Sequence, residues 1–586
     1  MNRNYLLITL GHGSSAIFVD NENSIRKPSI IGYEQERLSR IKADSQFPVD
    51  AINEIMHNVT PKKILGCTIL ISHWFNFTDD DNMPNKYITE KDMYWLKQIS
   101  ENIKFVSPEF THHDAHAYSA YAFYKYHCKP ENISHTPVHC IVADGFGNDE
   151  EVLSIYSVDL SNPENKPKCI YRVNEYYNSL GLFYQYATSF VGMKENQDEY
   201  KFLGYEAHID EVLDEAVIKS TLDYHIGSFV DMFIDHILKG TDKPWIINKK
   251  HSIIDFNKLS DVKAFWHSKF RNVLNDVPEI DNCTSFNARC VIAYVIQQTI
   301  EAVMVAIVKE FGITNLCVAG GCFYNVKLNN ALLKAVPGYF SAMPLAGDQG
   351  AAIGMYAAEE NVPQFPFTSL SWGQRRLYNF EKLAKCNPNI HYIRCEDIHD
   401  FNDAACYVAK LIANDNIVDL VVGNMEFGPR ALCNTSTLFL PTAANVAYNN
   451  HMNMRNEVMP CAPVCTYSNA IKLFGDDIKR VIGSDKFMIC THEYTRGYSK
   501  QYGGVMHKKT CEYGYTGRPQ IVNDNSFMYD VLRKVEELTD VKCLVNTSFN
   551  VHGQPIVFDT SEILQNYNFQ VEHSGDKTPI LVVINN

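Results

Sequence analysis

Residues 138–156 read Val-His-Cys-Ile-Val-Ala-Asp-Gly-Phe-Gly-Asn-Asp-Glu-Glu-Val-Leu-Ser-Ile-Tyr. An apolar run over 138–143 is followed by a turn at Asp144-Gly145 and a second run over 152–156. Short apolar runs bounded by turn residues read as strands, and two of them around one turn read as a hairpin. The same order stands at the start of the chain. Residues 5–10 are apolar, Gly11-His12-Gly13-Ser14-Ser15 turns, and residues 16–19 return. Backbone N–H groups of such Gly- and Ser-rich turns can face a phosphate, although an ordinary hairpin explains either copy by itself. The likeness is one of pattern, not of residues.

Two such hairpins imply a duplicated unit, as in the ribonuclease-H-like halves of the actin, sugar-kinase and Hsp70 superfamily, with ligand in the cleft between halves. The 586 residues are too many for one core, so at least two domains are expected. Hydrophobic residues at 46% and charged ones at 21% are those of a globular protein. The net charge of -15 excludes a general attraction to nucleic acid or anionic membranes, leaving room only for a local basic groove. The 17 cysteines form no C-x-x-C and no regular framework, and the first apolar run is too short for a signal peptide. The longest apolar region, around 290–308, is broken by Gln297, Gln298 and Glu301, which predicts a buried helix and not a membrane span. A reduced, cytoplasmic enzyme without a membrane partner is expected.

Several stretches carry candidate chemistry. Thr-His-His-Asp-Ala-His-Ala over 111–117 places His112 and His116 four apart, on one face if helical, where two imidazoles can chelate a divalent metal; a buried or capping histidine cluster is the bland alternative. Asp348, in Gly347-Asp348-Gln349-Gly350, is either the cap of a small-residue helix or a third ligand. Gly320-Gly321, between a strand and a helix that starts near Asn325, allow close backbone approach to a phosphate or ribose. Lys42 ends the charged run 34–44, otherwise a solvated face, and Glu199 and Lys201 lie in a polar loop region over the cleft.

Residues 366–390 read as a linker, and a second domain of alternating strands and helices follows over 391–586. It holds Met425-Glu426-Phe427-Gly428-Pro429-Arg430-Ala431-Leu432 and, from Leu544 to Val557, a strand leading into Asn546-Thr547-Ser548-Phe549-Asn550. Arg430, Arg455 and Arg518 are candidates to grip phosphate or carboxylate, and Asn546 and Ser548 to orient a small polar group; singly, each is as well explained by a surface or a turn. No G-x-x-x-x-G-K-[ST] occurs, which excludes a P-loop enzyme.

Taken together and in order, these segments resemble the NodU/CmcH/TobZ family of O-carbamoyltransferases. The resemblance runs through the opening hairpin with His12, E-R-x-x-R-x-K (Glu36, Arg37, Arg40, Lys42), H-H-x-x-H-A, Asp144-Gly145, and E-Y-K-x-x-G from Glu199 to Gly204. It continues through Gly320-Gly321, Gly347-Asp348-Gln349-Gly350, M-E-F-G-P-R-A-L and N-T-S-F-N. It implies an α/β protein with an actin/Hsp70-like, TsaD-type first domain over 1–365 and a YrdC-like second domain. By that resemblance the second domain makes carbamoyl-adenylate from carbamoyl phosphate and ATP, with Mg2+ accompanying the ATP. The first domain then moves the carbamoyl group to an acceptor hydroxyl. A metal, Fe2+ in the best-known case, falls to His112, His116 and Asp348. Asp144, Gly145, Gly320, Gly321, Asn325, Glu199 and Lys201 fall to the nucleotide or donor. His12 and Lys42 are implied to position the donor or take the acceptor's proton.

The acceptors implied are a hydroxymethylated pyrimidine, such as 5-hydroxymethylcytosine in DNA, or a sugar or natural-product hydroxyl. A homodimer is the base-rate assembly. The chain departs from the family pattern at Asn424, where arginine is usual, at Cys433-Asn434-Thr435-Ser436 in place of G-x-R-S, and over 454–463. Three basic groups are missing near the expected adenylation site. That keeps open a non-catalytic or donor-dependent nucleotide-binding protein; a tRNA threonylcarbamoyl-transferase-like enzyme is the other alternative.

Overall fold

The computed structural model describes the chain apart from residues 1–3, 22–27, 75–86, 108, 130–136, 161, 163–164, 239–254, 278–279, 281, 361–364, 376, 378, 397, 456–457, 459–460, 496–501, 509–513, 523–525 and 586. Asn456, Glu457, Met459 and Pro460, within the departing stretch 454–463, lie outside the described residues.

The two hairpins each open a five-stranded sheet. The first sheet contains β1 (Tyr5–Thr9), β2 (Ser15–Asp20), β3 (Ser29–Glu34), β4 (Thr68–Trp74) and β5 (Ile103–Val106), in the order β3-β2-β1-β4-β5. The second contains β6 (Val138–Ala143), β7 (Glu151–Val158), β8 (Lys168–Asn174), β9 (Asn315–Ala319) and β10 (Phe340–Ala342), in the order β8-β7-β6-β9-β10. In each, the first three strands pair antiparallel and the last two join parallel. Order and direction therefore repeat strand for strand, and the duplicated ribonuclease-H-like architecture is present. β1 and β9 are buried at every position, which is why they read as largely apolar runs, with only Thr9 and Asn315 polar.

Two helices lie between the sheets, His112–His127 and Asp348–Glu359. They touch almost backbone to backbone. A Cβ on Gly354 would fall 1.7 Å from the Ala115 carbonyl oxygen. Ala115, Ala117, Ala120, Ala351 and Ala352 continue the small-residue seam in one core with β1 and β6. This contact sets the start of the second helix beside the first turn of the other, and so Asp348 beside His112. The apolar helix Phe286–Glu310 is long enough to cross a membrane, but 72% of its most apolar window is buried inside the protein.

The C-terminal half is built on a mixed seven-stranded sheet. Its order is β12 (Ile390–Arg394), β22 (Ile580–Asn585), β13 (Val418–Val422), β15 (Thr435–Phe439), β21 (Leu544–Ser548), β16 (Ala462–Thr466) and β20 (Gln520–Val522). Helices Ile398–Ala413 and Phe527–Thr539 cover one face through Val408, Ile412, Val531 and Leu532. Residues 366–390, expected as a linker, hold structure of their own. β11 (Ser371–Gly373) pairs with β14 (Met425–Glu426), and Phe380–Cys386 is helical. Phe367 packs on Phe123 and Trp372 on Phe427, ring centroids 5.1 and 5.2 Å apart, inside the core that also holds β1. The prolines and polar residues suggested a spacer; the buried aromatics make it part of the packing between halves.

Candidate active site

Capping orients the H-x-x-x-H helix. Thr111 and Asp114 form a reciprocal capping box, so the helix begins at His112 with a fixed first turn. His112 and His116 then meet edge to face with their Nε2 atoms 3.1 Å apart. Asp348 Oδ1 lies 3.3 Å from His112 Nε2, and Asp144 Oδ2 lies 3.3 Å from His116 Nε2. Asp348 makes no side-chain cap to its own helix, whose N-cap is Gly347. Of its two sequence readings the ligand is the one the geometry fits. The four donor atoms lie within 4.8 Å of one another.

Asp144, expected with Gly145 at a nucleotide, is placed as the fourth member of this group. Its Oδ1 accepts the Gly145 N–H at 2.7 Å and its Oδ2 faces the histidines. The fourth side was not readable because it comes from β6, on a different sheet-end from either helix.

The group fits a divalent metal. Two imidazole nitrogens and two carboxylate oxygens are the N/O donor set that first-row metals take. Two nitrogens each about 2.1 Å from one ion stand about 3 Å apart, as these do. The His112 Nδ1 side is held by the Ser72 carbonyl at 3.2 Å, which leaves Nε2 to face the centre. Burial disfavours charge on His112, Asp144 and Asp348. The carboxylates nevertheless raise the His112 pKa well above its usual value, and the histidines hold Asp144 well below its own. His113, between the two, points away. It is fully buried, bonded to Ser154 Oγ at 2.8 Å, and pushed strongly toward neutrality by that burial. For His113 the bland reading of the cluster holds. A second group, Asp485, Cys490 and His492, is also buried, but His492 and Asp485 satisfy each other at 2.9 Å and burial raises the Cys490 thiol.

One cavity of about 1150 Å³ joins this group to the C-terminal half. His12, Lys42, Gly145, Gly321, Glu199 and Lys201 line its N-terminal part. Gly320, just behind that wall, has φ +102°, and a Cβ there would strike the Ala143 carbonyl at 2.2 Å, so the turn carries glycine. Asn325 also reaches the cavity, but its side chain caps the helix Val326–Ala335 and donates to Gln297 at 2.7 Å. Lys42 pairs with Glu36 at 3.6 Å and Lys201 with Asp198 at 3.0 Å. Burial pushes the Glu199 carboxyl up to about 7.

At the other end stand Arg430, Arg455, Arg518, Asn546 and Ser548. Arg430 is half-buried, its enclosed Nε makes no hydrogen bond, and desolvation together with the neighbouring Arg518 charge depresses its pKa well below normal. Two neighbouring guanidiniums on a half-buried cavity wall are the groups there that could hold an anion. Arg455 has a different role. Nη1 donates to Thr547 Oγ1 at 2.6 Å, and Nη2 to the Ser548 and Asn550 carbonyls at 2.8 and 3.0 Å. It shapes the N-T-S-F-N turn rather than offering a free fork. Ser548 Oγ is bound to Asn550 Oδ1 at 2.5 Å. Asn546 ties β21 to the arginine loop by donating to the Ala431 carbonyl at 3.0 Å, and its Oδ1 is buried without a protein partner. Glu426 and Arg375, which the sequence reading did not select, hold the arginine loop from behind. The Glu426 carboxylate accepts from the backbone of Leu432, Asn434 and Thr435 at 2.8, 2.8 and 2.9 Å.

A duplicated ribonuclease-H-like half with a candidate N/O metal group, opening through one cavity onto two neighbouring arginines, has the make-up of a two-site enzyme. The chain belongs to the carbamoyltransferase family. Residues 100–358 match the family described as Carbamoyltransferase N-terminus, and residues 409–573 match Carbamoyltransferase C-terminus. Uncharacterized protein MJ1051 of Methanocaldococcus jannaschii is 23% identical over 569 residues, 95% of each chain. Nodulation protein U of Sinorhizobium fredii is 30% identical over 251 residues, 42% of this chain and 41% of that protein. Among solved structures, full-length HypF in its phosphate- and nucleotide-bound form is 14% identical, with a TM-score of 0.28 over 63% of this chain and 57% of that one.

Proposed function

We propose that the chain is an ATP-dependent O-carbamoyltransferase that uses carbamoyl phosphate. The observation that supports it most is the single cavity with an anion-binding arginine pair at one end and the His112–His116–Asp144–Asp348 group at the other. In the first step carbamoyl phosphate, ATP and water give carbamoyl-adenylate, pyrophosphate and phosphate. Arg430 and Arg518 balance the charge that builds on the departing phosphates. The Asn546 Oδ1, buried without a partner, accepts from the carbamoyl NH2.

In the second step the acceptor oxygen attacks the carbamoyl carbon, the C–O bond to AMP breaks, and AMP leaves with the electron pair. The acceptor's proton passes to a cavity-wall base, His12 or Glu199. A divalent ion, for which we propose Fe2+, would polarise the donor at this end when bound. Both steps in one enclosed space keep a water-sensitive mixed anhydride from bulk solvent. The acceptor is a hydroxymethylated pyrimidine, such as 5-hydroxymethylcytosine in DNA, or a sugar or natural-product hydroxyl.

The test is pyrophosphate release from ATP with and without carbamoyl phosphate, together with a mass-spectrometric screen for a carbamoyl gain on those acceptors. Release that is indifferent to carbamoyl phosphate would exclude the first step.

A further inference from the structure

The E-R-x-x-R run, absorbed by neither site, forms the short helix Gln35–Ser39 and its exit at Arg40. It lies where the halves meet. Arg37, 1% exposed, donates from Nη2 to the Gly428 carbonyl at 2.8 Å, two residues before Arg430. The same guanidinium bonds Glu34 through Nε at 3.1 Å and pairs with Glu36 through Nη1 at 3.3 Å. Glu34 is buried at the end of β3, and its Oε1 lies 3.5 Å from Nε2 of Gln349, the neighbour of Asp348. Arg40 reaches the other signature turn, donating to the Pro555 and Ile556 carbonyls at 3.0 and 2.8 Å and pairing with Glu562 at 3.2 Å. One guanidinium thus stands between the loop that carries Arg430 and the helix start that carries Asp348.

We infer that Arg37 is a positioning residue: through Glu34 and the Gly428 carbonyl it keeps the arginine loop and the Asp348 helix in one register, so that the two ends of the cavity act on one intermediate. Buried ions are held only by good mutual geometry, so a shift at either end is resisted at the other. Folding by itself does not require this form. Apolar residues of like volume are often as stabilising as a buried ion network, but they cannot reach a carbonyl in one half and a carboxylate in the other. The inference rests on the proposed two-step reaction for its kinetic consequence and on geometry alone for its binding consequence.

Two measurements on Arg37→Met and Glu34→Gln test it, with Lys577→Ala, a surface pair, as control. In the first, ATP is titrated calorimetrically into metal-free and Co2+-loaded protein. The wild type is expected to show a ratio of affinities of about five or more, the usual size of site–site coupling. Both Arg37→Met and Glu34→Gln should bring the ratio near one while each ligand still binds. In the second, carbamoylated product is counted per pyrophosphate released. The count should fall about tenfold or more in Arg37→Met, as expected for a small misplacement between sites. A wild-type ratio of one, a ratio kept by both variants, or product and pyrophosphate falling in equal proportion would overturn the inference. If Arg37→Met does not fold, Glu34→Gln decides alone. Coupling that is present in the wild type and lost in the variants, without carbamoyl-phosphate-dependent pyrophosphate release, would leave the inference standing and remove the proposed reaction.

Discussion

Glu426→Gln is expected to loosen the arginine loop by an amount that can be worked from its bonds. The side chain is 0% exposed. Its Oε1 accepts three backbone N–H groups, and its Oε2 accepts the Thr435 hydroxyl at 2.6 Å and faces Arg375 Nη2 at 3.8 Å. Glutamine keeps an oxygen for the three N–H donors but removes the charge, and a hydrogen bond to a charged acceptor is worth about 1 kcal/mol more than one to a neutral acceptor. Three such bonds give about 3 kcal/mol. The Arg375 guanidinium, whose pKa burial pushes down to about 10 against the opposing pull of Glu426, loses its counter-charge as well. A total near 4 kcal/mol is expected, which for a half of this size lowers the transition by about 10 °C. Differential scanning calorimetry reads the shift, and pyrophosphate release well below the transition reads the loop. A transition within about 2 °C of the wild type would show that the carboxylate does not carry the loop, and the assignment of Arg430's geometry to Glu426 would fail with it.

Other outcomes follow from the same structure. Asp144→Asn, like His112→Ala, is expected to remove stoichiometric metal, measured by elemental analysis of the folded variant; metal retained at wild-type content would take Asp144 out of the group. Arg430→Ala is expected to lower carbamoyl-phosphate-dependent pyrophosphate release by about a hundredfold, the usual effect of removing one charge-stabilising donor. Burial raises the Asp419 and Glu199 carboxyls to about 7 in the folded protein. Between their ordinary carboxylate pKa values and about 7 the folded state therefore holds protons that the unfolded state has lost. Stability should be full at the acid side of this window and fall as pH rises through about 7. Asp419→Asn should flatten that fall by about one proton in urea titrations at successive pH values; an unchanged slope would mean that Asp419 does not titrate there.

What the sequence could disclose depended on how local the cause was. The central strands were legible because burial leaves mostly apolar residues in them, and the Asp144-Gly145 and Gly11–Ser15 turns mark their ends. His112 and His116 were legible because a helix fixes their spacing. Asp348 stayed ambiguous, since a helix-start aspartate is a cap or a ligand according to what stands opposite, and only the contact between the two helices brings it beside His112. Asp144 was seen at the Asp144-Gly145 turn, but its place beside the histidines was hidden for the same reason. Arg455 was taken as a candidate phosphate or carboxylate grip because isolated arginines carry no sign of what occupies their fork; here it is the oxygens of Thr547, Ser548 and Asn550 in one turn. Residues 366–390 looked like a spacer because Phe367 and Trp372 are single aromatics without a period, and their burial depends on Phe123 and Phe427, far away in sequence.

The missing basic residues also change meaning once their places are known. Asn424, where the family pattern has arginine, is exposed and does not border the cavity. Thr435, where G-x-R-S would place another, is buried; its backbone N–H and hydroxyl both bind Glu426, and its hydroxyl also receives Arg375 Nη2. A guanidinium is therefore still present against Glu426, supplied by the 366–390 segment in place of the arginine loop. Arg375 does not line the cavity, so what it replaces is a support of the loop and not a ligand contact. The charge that faces the cavity at this end is left to Arg430 and Arg518, with Arg455 holding the turn beside them. The departures at 424 and 435 thus fall on surface and scaffold, and Arg430 and Arg518 still line the cavity.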